Sequence, residues 1–195
     1  MKKFTISLFF FILTCVNYNA LCQDKQIEGF FGIKFGTNKQ SVIDTMLARG
    51  SAIDTSNNHI KPLWSDNITT LYFKNVTYRQ KKVSLFFVEL VNNKVFGIYF
   101  TFLPDQNAEI IDLYNETVNY ISEVYGKGDS FKKFNAPFRD GDFQEIIAIR
   151  TGNAIYATRW KIGLNRFNVS ISHNPVSVLI NCSDGALTAE AYAPK

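Results

Sequence analysis

Two segments of the chain space their apolar residues three and four positions apart, the pattern of a helix that buries one face. The first begins at a Thr-x-x-Gln capping box formed by Thr37 and Gln40, and it ends at Gly50. The second begins near residues 105–107 and ends at Gly126. The apolar faces consist of Val42, Ile43, Met46 and Leu47 in the first helix and of Ile110, Leu113, Tyr114, Ile121, Val124 and Tyr125 in the second. We expect both faces to be core surfaces.

Elsewhere the apolar residues alternate with a period of two, as they do in strands with one buried face. In the first half this pattern predicts a three-stranded antiparallel meander with strands at 69–78, 83–90 and 94–102. In the second half it predicts strands at about 143–150, 154–162, 165–173 and 176–182. Polar and glycine-containing turns separate the strands, and these turns are residues 79–82, Asn92-Asn93, Gly152-Asn153, Gly163-Leu164 and Asn174-Pro175.

These elements predict an α+β fold made of two tandem units, each a helix followed by an antiparallel meander. Residues 23–103 form the first unit, and residues 104–195 form the second unit with a short C-terminal tail. We expect the helices to pack on one face of the sheet, because an uncovered layer of two or three strands is barely stable.

The segment that leads into the first helix resembles a known family. Residues 32–42, Gly-Ile-Lys-Phe-Gly-Thr-Asn-Lys-Gln-Ser-Val, are similar to the opening motif of the beta-lactamase-inhibitor-like superfamily, which includes small outer-membrane assembly lipoproteins. Residues 124–128, Val-Tyr-Gly-Lys-Gly, resemble helix ends that are common in secreted bacterial proteins of this style. The resemblance implies helices paired with an antiparallel sheet, and a function in binding other proteins. It implies no catalytic residue.

The first 22 residues have the three parts of a secretory signal peptide. A Met-Lys-Lys start precedes the apolar residues 4–14, and Ala20 and Cys22 are the small residues at positions −3 and −1 of a cut before Gln23. We therefore expect export to the periplasm or the cell exterior of a bacterium. In the alternative, cleavage precedes Cys15, which then carries lipid and attaches the protein to the outer membrane. Membrane contact is expected only in that case.

Charge and cysteine content change once the signal peptide is removed. The cut takes away two lysines and no acidic residue, which leaves 19 basic and 17 acidic side chains and a formal charge of +2. A nearly neutral exported protein gives no reason to expect a nucleic-acid partner. Cys182 is then the only cysteine left, so an internal disulfide is excluded.

Side chains for metal binding or nucleophilic catalysis are few. Histidine occurs only at positions 59 and 173, whereas a closed zinc site needs four nitrogen or sulfur ligands at short spacings. If Asn174-Pro175 turns the last hairpin, Cys182 lies opposite Phe167, about 20 Å of strand away from His173. We therefore predict no catalytic site, no metal and no cofactor.

Three further motifs favour structural explanations. Gly29, Gly32 and Gly36 precede the first helix, but the capping box already uses N–H groups that an anion would need. Asp140-Gly141-Asp142 is typical of a turn and lacks the remaining ligands of a calcium loop. Residues 131–134, Phe-Lys-Lys-Phe, are expected to form a solvated loop, with contact to an acidic glycan or an anionic partner surface as the alternative.

Aromatic residues are in excess, because eighteen Phe and nine Tyr exceed what the inner faces of two small sheets need. Aromatic side chains on the outer face of a sheet are typical of an interface. The alternative is that helices or loops cover both faces. The candidate binding residues are Tyr72, Tyr78, Phe86 and Tyr99, which we place opposite the core face, and Trp64, which we place in a loop.

The sequence as a whole predicts an exported, non-catalytic protein-binding module of the bacterial envelope, whose partner is another envelope or secreted protein. One alternative is a carrier of a small apolar ligand, with aromatic side chains lining a cavity between sheet and helix. Another is an envelope or glycan hydrolase, for which the sequence offers no diagnostic pair of carboxylates.

Overall fold

The computed structural model describes residues 26–56 and 67–193. The helices are α1 (Lys39–Ala48), α2 (Ile110–Tyr125), α3 (Glu145–Arg150) and α4 (Gly185–Ala191). The strands are β1 (Gly29–Phe30), β2 (Ile33–Lys34), β3 (Ala52–Ile53), β4 (Ile68–Lys74), β5 (Thr77–Tyr78), β6 (Lys81–Lys82), β7 (Leu85–Val91), β8 (Lys94–Phe102), β9 (Asp129–Phe134), β10 (Ala154–Ile162), β11 (Asn165–His173) and β12 (Val176–Ser183). Within the described ranges, no helix combines the length and the apolar character that crossing a bilayer requires.

Eight strands form one antiparallel sheet in the order β3-β4-β7-β8-β12-β11-β10-β9. The strands of the first and second halves of the chain meet at β8 and β12, where Phe100 lies opposite Ile180 and Tyr99 lies opposite Asn181. The pairs β1–β2 and β5–β6 are separate two-stranded hairpins. The fold is therefore mixed helix and sheet with a large antiparallel sheet, and this confirms the predicted α+β class.

One face of the large sheet carries the hydrophobic core. Ile98 and Phe100 of β8 and Ile180 of β12 are almost completely buried on this face. Helix α2 packs on β11 and β12 and buries Ile121, and α1 adds Met46 to the same core. The stripes that the sequence assigned to the two long helices thus face the sheet, although Leu47 and Val124 at their margins are exposed.

Aromatic rings fill the part of the core that the β5–β6 hairpin covers. The ring centroid of Tyr78 in this hairpin lies 5.3 Å from that of Phe30 and 5.4 Å from that of Phe31. Phe31 lies 4.8 Å from Phe86, and Phe30 stacks on Phe100 at 5.4 Å. Much of the aromatic excess is therefore absorbed by ring-to-ring packing on the helix-covered side, in the edge-to-face and offset arrangements that such pairs prefer.

The last hairpins follow the sequence closely. Strands β10 and β11 have the predicted bounds, and β12 extends one residue beyond its predicted end. Phe167 lies opposite Cys182 and His173 opposite Val176, which confirms the register inferred from the turn at Asn174-Pro175.

Three predicted elements are wrong. Residues 143–150 contain helix α3 rather than a strand, because a short apolar run does not by itself distinguish the two. Residues 131–134 belong to the edge strand β9 rather than to a loop. The strand predicted at 69–78 ends at Lys74, since Asn75 turns the chain with a φ of 60°, and the following residues enter the β5–β6 hairpin.

Helix α4, which the sequence left within a short C-terminal tail, lies on the sheet face opposite the core. Asp184 caps it by accepting a hydrogen bond from the backbone N–H of Leu187 at 2.8 Å. Leu187 packs against Ile68, Val91 and Phe96, which form a second, smaller apolar cluster. The two helices that the sequence predicted, α1 and α2, share the core face, and α4, which it did not predict, packs on the other face.

Helix α1 is capped one residue later than predicted. The side-chain oxygen of Asn38, rather than that of Thr37, accepts the backbone N–H of Ser41 at 3.0 Å. The backbone N–H of Lys39 donates a hydrogen bond to the side-chain oxygen of Asn93 at 3.0 Å. These donors are satisfied within the chain, so the glycine-rich segment before α1 does not offer them to an anion.

Replacing each of the two candidate N-cap residues of α1 distinguishes the observed cap from the predicted one. Asn38→Ala removes the acceptor for the Ser41 N–H, and we expect it to lower the free energy of unfolding by about 1 kcal/mol. Thr37→Ala is expected to change it by less than about 0.5 kcal/mol. Urea titration followed by circular dichroism measures both values, and a larger loss for Thr37→Ala would contradict the assignment.

Candidate functional site

We call the sheet face opposite the core the open face. Helices α1, α2 and α3 contribute to the core on the other side, and among the described helices only α4 packs on the open face. Because side chains alternate along a strand, one row of them crosses this face from β4 to β9. From strand to strand, each residue opposite the next, the row contains Tyr72, Phe87, Tyr99, Asn181, Asn168, Arg159 and Asp129.

Three rings at one end of this row form what we call the aromatic row: Tyr72, Phe87 and Tyr99. The rings of Phe87 and Tyr99 stack with centroids 4.7 Å apart and planes 8° from parallel. Tyr72 leans against Phe87 with centroids 5.4 Å apart. All three residues are partly exposed. The open face therefore presents a contiguous aromatic surface that no described element covers.

Polar neighbours surround the hydroxyl of Tyr99. It faces the carboxylate of Glu89 on β7 and the amide of Asn181 on β12. The ring lies over Gly97, where a Cβ atom would come within 2.6 Å of it. Contacts from three neighbouring strands thus fix the ring on which Phe87 stacks.

Glu89 is a half-buried carboxylate on the open face. Burial raises the pKa of Glu89 above its ordinary value, and the hydrogen bond from Tyr99 only partly opposes the rise. Burial and the Glu89 carboxylate together raise the pKa values of Tyr72, Tyr99 and Tyr192. These phenols are therefore protonated at neutral pH and act as hydrogen-bonding aromatic side chains.

Helix α4 closes one end of the open face. Asn92, in the turn between β7 and β8, donates to the carboxylate of Glu190 at 2.6 Å. Tyr192, just after the helix, packs edge-to-face on Phe96 with centroids 6.2 Å apart. The aromatic row is thus bordered by α4 along one side.

The other end of the open face is basic. We call Arg159, Lys161 and Arg166 the cationic patch; all three are exposed. Lys161 and Arg166 lie directly opposite each other on neighbouring strands. Like charges in that position destabilise a sheet, so the pair carries a local cost that a bound anionic group would relieve.

A groove of about 880 Å³ runs along the cationic patch. Asn168, Asn181 and Phe131 of the edge strand are among its lining residues. The side-chain oxygen of Asn168 is buried and accepts no hydrogen bond from the described residues. A buried acceptor without a donor is costly and uncommon, and this one belongs to a residue that lines the groove.

A second groove, of about 840 Å³, lies on the helix side between the β5–β6 hairpin and α2. Its acidic side chains face a basic hairpin: Lys81 forms an ion pair with Glu116 at 2.9 Å. Arg79 pairs with Glu123 at 3.5 Å and lies 4.1 Å from the ring centroid of Tyr120. These contacts attach the hairpin to the helix, which gives this groove a structural role.

The structure places the predicted binding residues in three different environments. Tyr72 and Tyr99 lie together on the open face, as expected. Phe86 was assigned to the wrong face: only 1 % of it is exposed, because it lies opposite Phe100 within the core. Tyr78 is wrong in the same way, since its ring packs in the aromatic part of the core. Trp64 lies outside the described residues.

Phe87 was missed because it was assigned to the core side of its strand. Residues 85–88 read Leu-Phe-Phe-Val, so both faces of β7 are apolar and alternation alone does not say which one is buried. The pairing of β7 with β8, in which Phe86 meets Phe100, decides it.

The residues considered for catalysis stay apart. Burial raises the pKa of the Cys182 thiol well above its ordinary value, so this cysteine is an unreactive core residue. His173 is exposed at the far end of the same hairpin. The carboxylate of Asp142 accepts the backbone N–H groups of Arg139 and Gln144 and holds a turn. Among residues 26–56 and 67–193, no group of three His, Cys, Asp or Glu side chains could hold a metal ion.

Comparison of the chain with protein-family models, with curated proteins and with solved structures finds no match. Function is therefore inferred from the open face itself.

A pH-dependent measurement tests the half-buried carboxylate. Because the pKa of Glu89 is raised in the folded chain, its protonated form stabilises the fold below the ordinary pKa of about 4.3, and that contribution is lost as the pH rises through the raised pKa. We expect Glu89→Gln to be more stable than the parent near pH 7.5 and to lose this advantage near pH 4. Urea unfolding at both pH values measures the difference, and an advantage that is equal or larger at the lower pH would contradict it.

Proposed function

We propose that this protein is an exported, non-catalytic binding module of a bacterial envelope and that it holds a partner protein on its open face. The observation that carries the proposal is the juxtaposition, on the open face, of the aromatic row with the cationic patch. Export rests on the signal-like residues 1–22, with lipid attachment at Cys15 as the alternative. The partner is then another envelope or secreted protein.

The aromatic row has the properties of an interface centre. Tyrosine and phenylalanine are enriched at protein interfaces, and a few such residues usually provide most of the binding energy. Tyr99 already faces Glu89 and Asn181, and Phe87 stacks on it. Little side-chain freedom is therefore lost when a partner covers these rings, and this lowers the entropic cost of binding.

The cationic patch indicates the charge of the partner. Arg159, Lys161 and Arg166 have no ion-pair partner among the described residues, and two of them lie opposite each other. A partner surface with carboxylates at this position would neutralise them and relieve their repulsion. Such charges at the rim of an interface accelerate association and select the orientation of the partner.

Packing on the helix side favours this proposal over an apolar-ligand carrier. The rings there contact one another at centroid distances of about 5 Å, so aromatic side chains occupy the space between sheet and helices that a ligand would need.

The proposal also includes the two-unit architecture. In it, α1 with β3, β4, β7 and β8 corresponds to α2 with β9 to β12, and the two units join at β8 and β12.

Binding to the partner tests the proposal. The partner is captured by the full chain from the envelope fraction of its host, purified, and titrated by calorimetry. Tyr72→Ser and Arg166→Gln change exposed parts of the open face, and each is expected to weaken binding by at least about tenfold. Added salt should weaken binding of the parent, and it should do so less for Arg166→Gln.

Variants of the helix side are the matched controls. Tyr120→Ser and Lys82→Gln make the same kinds of change on α2 and on the β5–β6 hairpin, and they should bind as the parent does. The proposal fails if these controls weaken binding as much as the open-face variants do. It also fails if both open-face variants are folded by circular dichroism and bind as the parent does.

A further inference from the structure

Strand β9 forms one edge of the eight-stranded sheet and, within the part of the chain that the structure describes, pairs with β10 alone. Residues 129–133 are exposed, and Phe131 is 54 % exposed on the open-face side. The opposite edge is formed by β3, which has only two residues. An exposed six-residue edge offers a row of backbone groups that can pair with another strand.

The register fixes which of these backbone groups point outward. The N–H of Asn135 donates to the carbonyl of Asn153 across the pair, at 2.8 Å. Since backbone groups alternate in direction along an antiparallel strand, the odd residues of β9 bond to β10, while Ser130, Lys132 and Phe134 direct their N–H and C=O groups away from the sheet.

We propose that β9 pairs with β9 of a second copy of this chain, antiparallel and centred on Phe131. In this register Ser130 of each copy forms a hydrogen-bonded pair with Lys132 of the other, which uses the outward backbone groups. Phe131 then lies opposite Phe131, and Asp129 opposite Lys133 of the other copy. Both are the non-hydrogen-bonded kind of pair, in which side chains approach most closely.

Opposite charges favour this register, and they favour a second copy of the chain as the strand that pairs with β9. The pairing brings two aspartate–lysine contacts to the open-face side, one on each side of the phenylalanine pair. Neither Asp129 nor Lys133 forms an ion pair within the described residues. A register shifted so that Lys132 lies at the centre would place Lys133 opposite Phe131 and Asp129 opposite Asn135 of the other copy, and both opposite-charge contacts would be lost. Edge lysines usually prevent strand pairing, but here Lys132 is neutralised by Asp140 and Lys133 meets an acid.

The pairing would join two eight-stranded sheets edge to edge, with both open faces on the same side. A six-residue edge buries less surface than a standard stable interface of about 1,600 Å², so we expect a dimer that dissociates on dilution. The inference does not depend on the proposed function, because dimerisation is measured on the purified chain in the absence of a partner, although Asp129 and Phe131 also line the groove on the open face.

Two single charge-reversal variants of β9, and the double variant that combines them, test the pairing. Sedimentation velocity of the full chain should show a monomer–dimer equilibrium. Lys133→Asp creates two like-charge contacts and should weaken the dimer by about tenfold or more, as should Asp129→Lys. The double variant Asp129→Lys with Lys133→Asp restores opposite charges and should recover dimerisation. Lys94→Asp, an exposed charge reversal at the start of β8, should dimerise as the parent does.

Cysteine cross-linking tests the register. Phe131→Cys places two cysteines directly opposite each other, within the Cα separation that a disulfide accepts. Lys132→Cys places them about 9 Å apart, beyond that separation. Under mild oxidation the first variant should form a covalent dimer at least about tenfold faster than the second or the parent.

Several results would overturn the proposal. A parent chain that stays monomeric at all concentrations contradicts it. A dimer that survives both single charge reversals, or one that the double variant fails to restore, shows a different interface. Equal cross-linking rates for the two cysteine variants contradict the register.

Discussion

The antiparallel pairing of β8 with β12 is the interaction on which the rest of the structure depends. It joins the strands of the two halves into one sheet, and its register decides both faces at once. Phe100 meets Ile180 in the core, and in the adjacent pair Tyr99 meets Asn181 on the open face. Because side chains alternate, a slip of one residue would bury the polar row and expose the core.

The two faces of the sheet differ in how fully the described helices and hairpins cover them. The core face is filled by three helices, the β5–β6 hairpin and a set of packed rings. The open face retains features that are locally unfavourable: the half-buried Glu89 carboxylate, the oxygen of Asn168 that accepts no hydrogen bond from the described residues, and Lys161 opposite Arg166. Natural proteins commonly keep such costs where function requires them. Their concentration on the open face, on which α4 is the only helix among the described residues, is the physical basis for treating it as a binding surface.

Sequence patterns predicted those parts of the fold that local chemistry determines. The turn at Asn174-Pro175 fixed the last hairpin and placed Cys182 opposite Phe167. The side of β7 that is buried depends on which residues of β8 it meets, and its Leu-Phe-Phe-Val run gave no local preference, so Phe86 and Phe87 were exchanged. The apolar run that became α3 was too short to distinguish helix from strand.

The same contrast between local and long-range determinants applies to the candidate site. Tyr72 and Tyr99 were found from alternation alone, because their strands have one clearly apolar face. The contacts around Glu89 join β7, β8 and β12, and they depend on a strand pairing between residues about 80 positions apart in the chain. No spacing within a single segment indicates such an arrangement.

A photo-cross-linking amino acid placed at Tyr72 tests most directly whether the open face is where a partner binds. The same amino acid at Tyr120, on the helix side, is the reference. Irradiation of cells of the host that express each variant should give a covalent adduct with a second protein from position 72 and none from position 120. An adduct from position 120 alone, or from neither position, would contradict a binding surface on the open face.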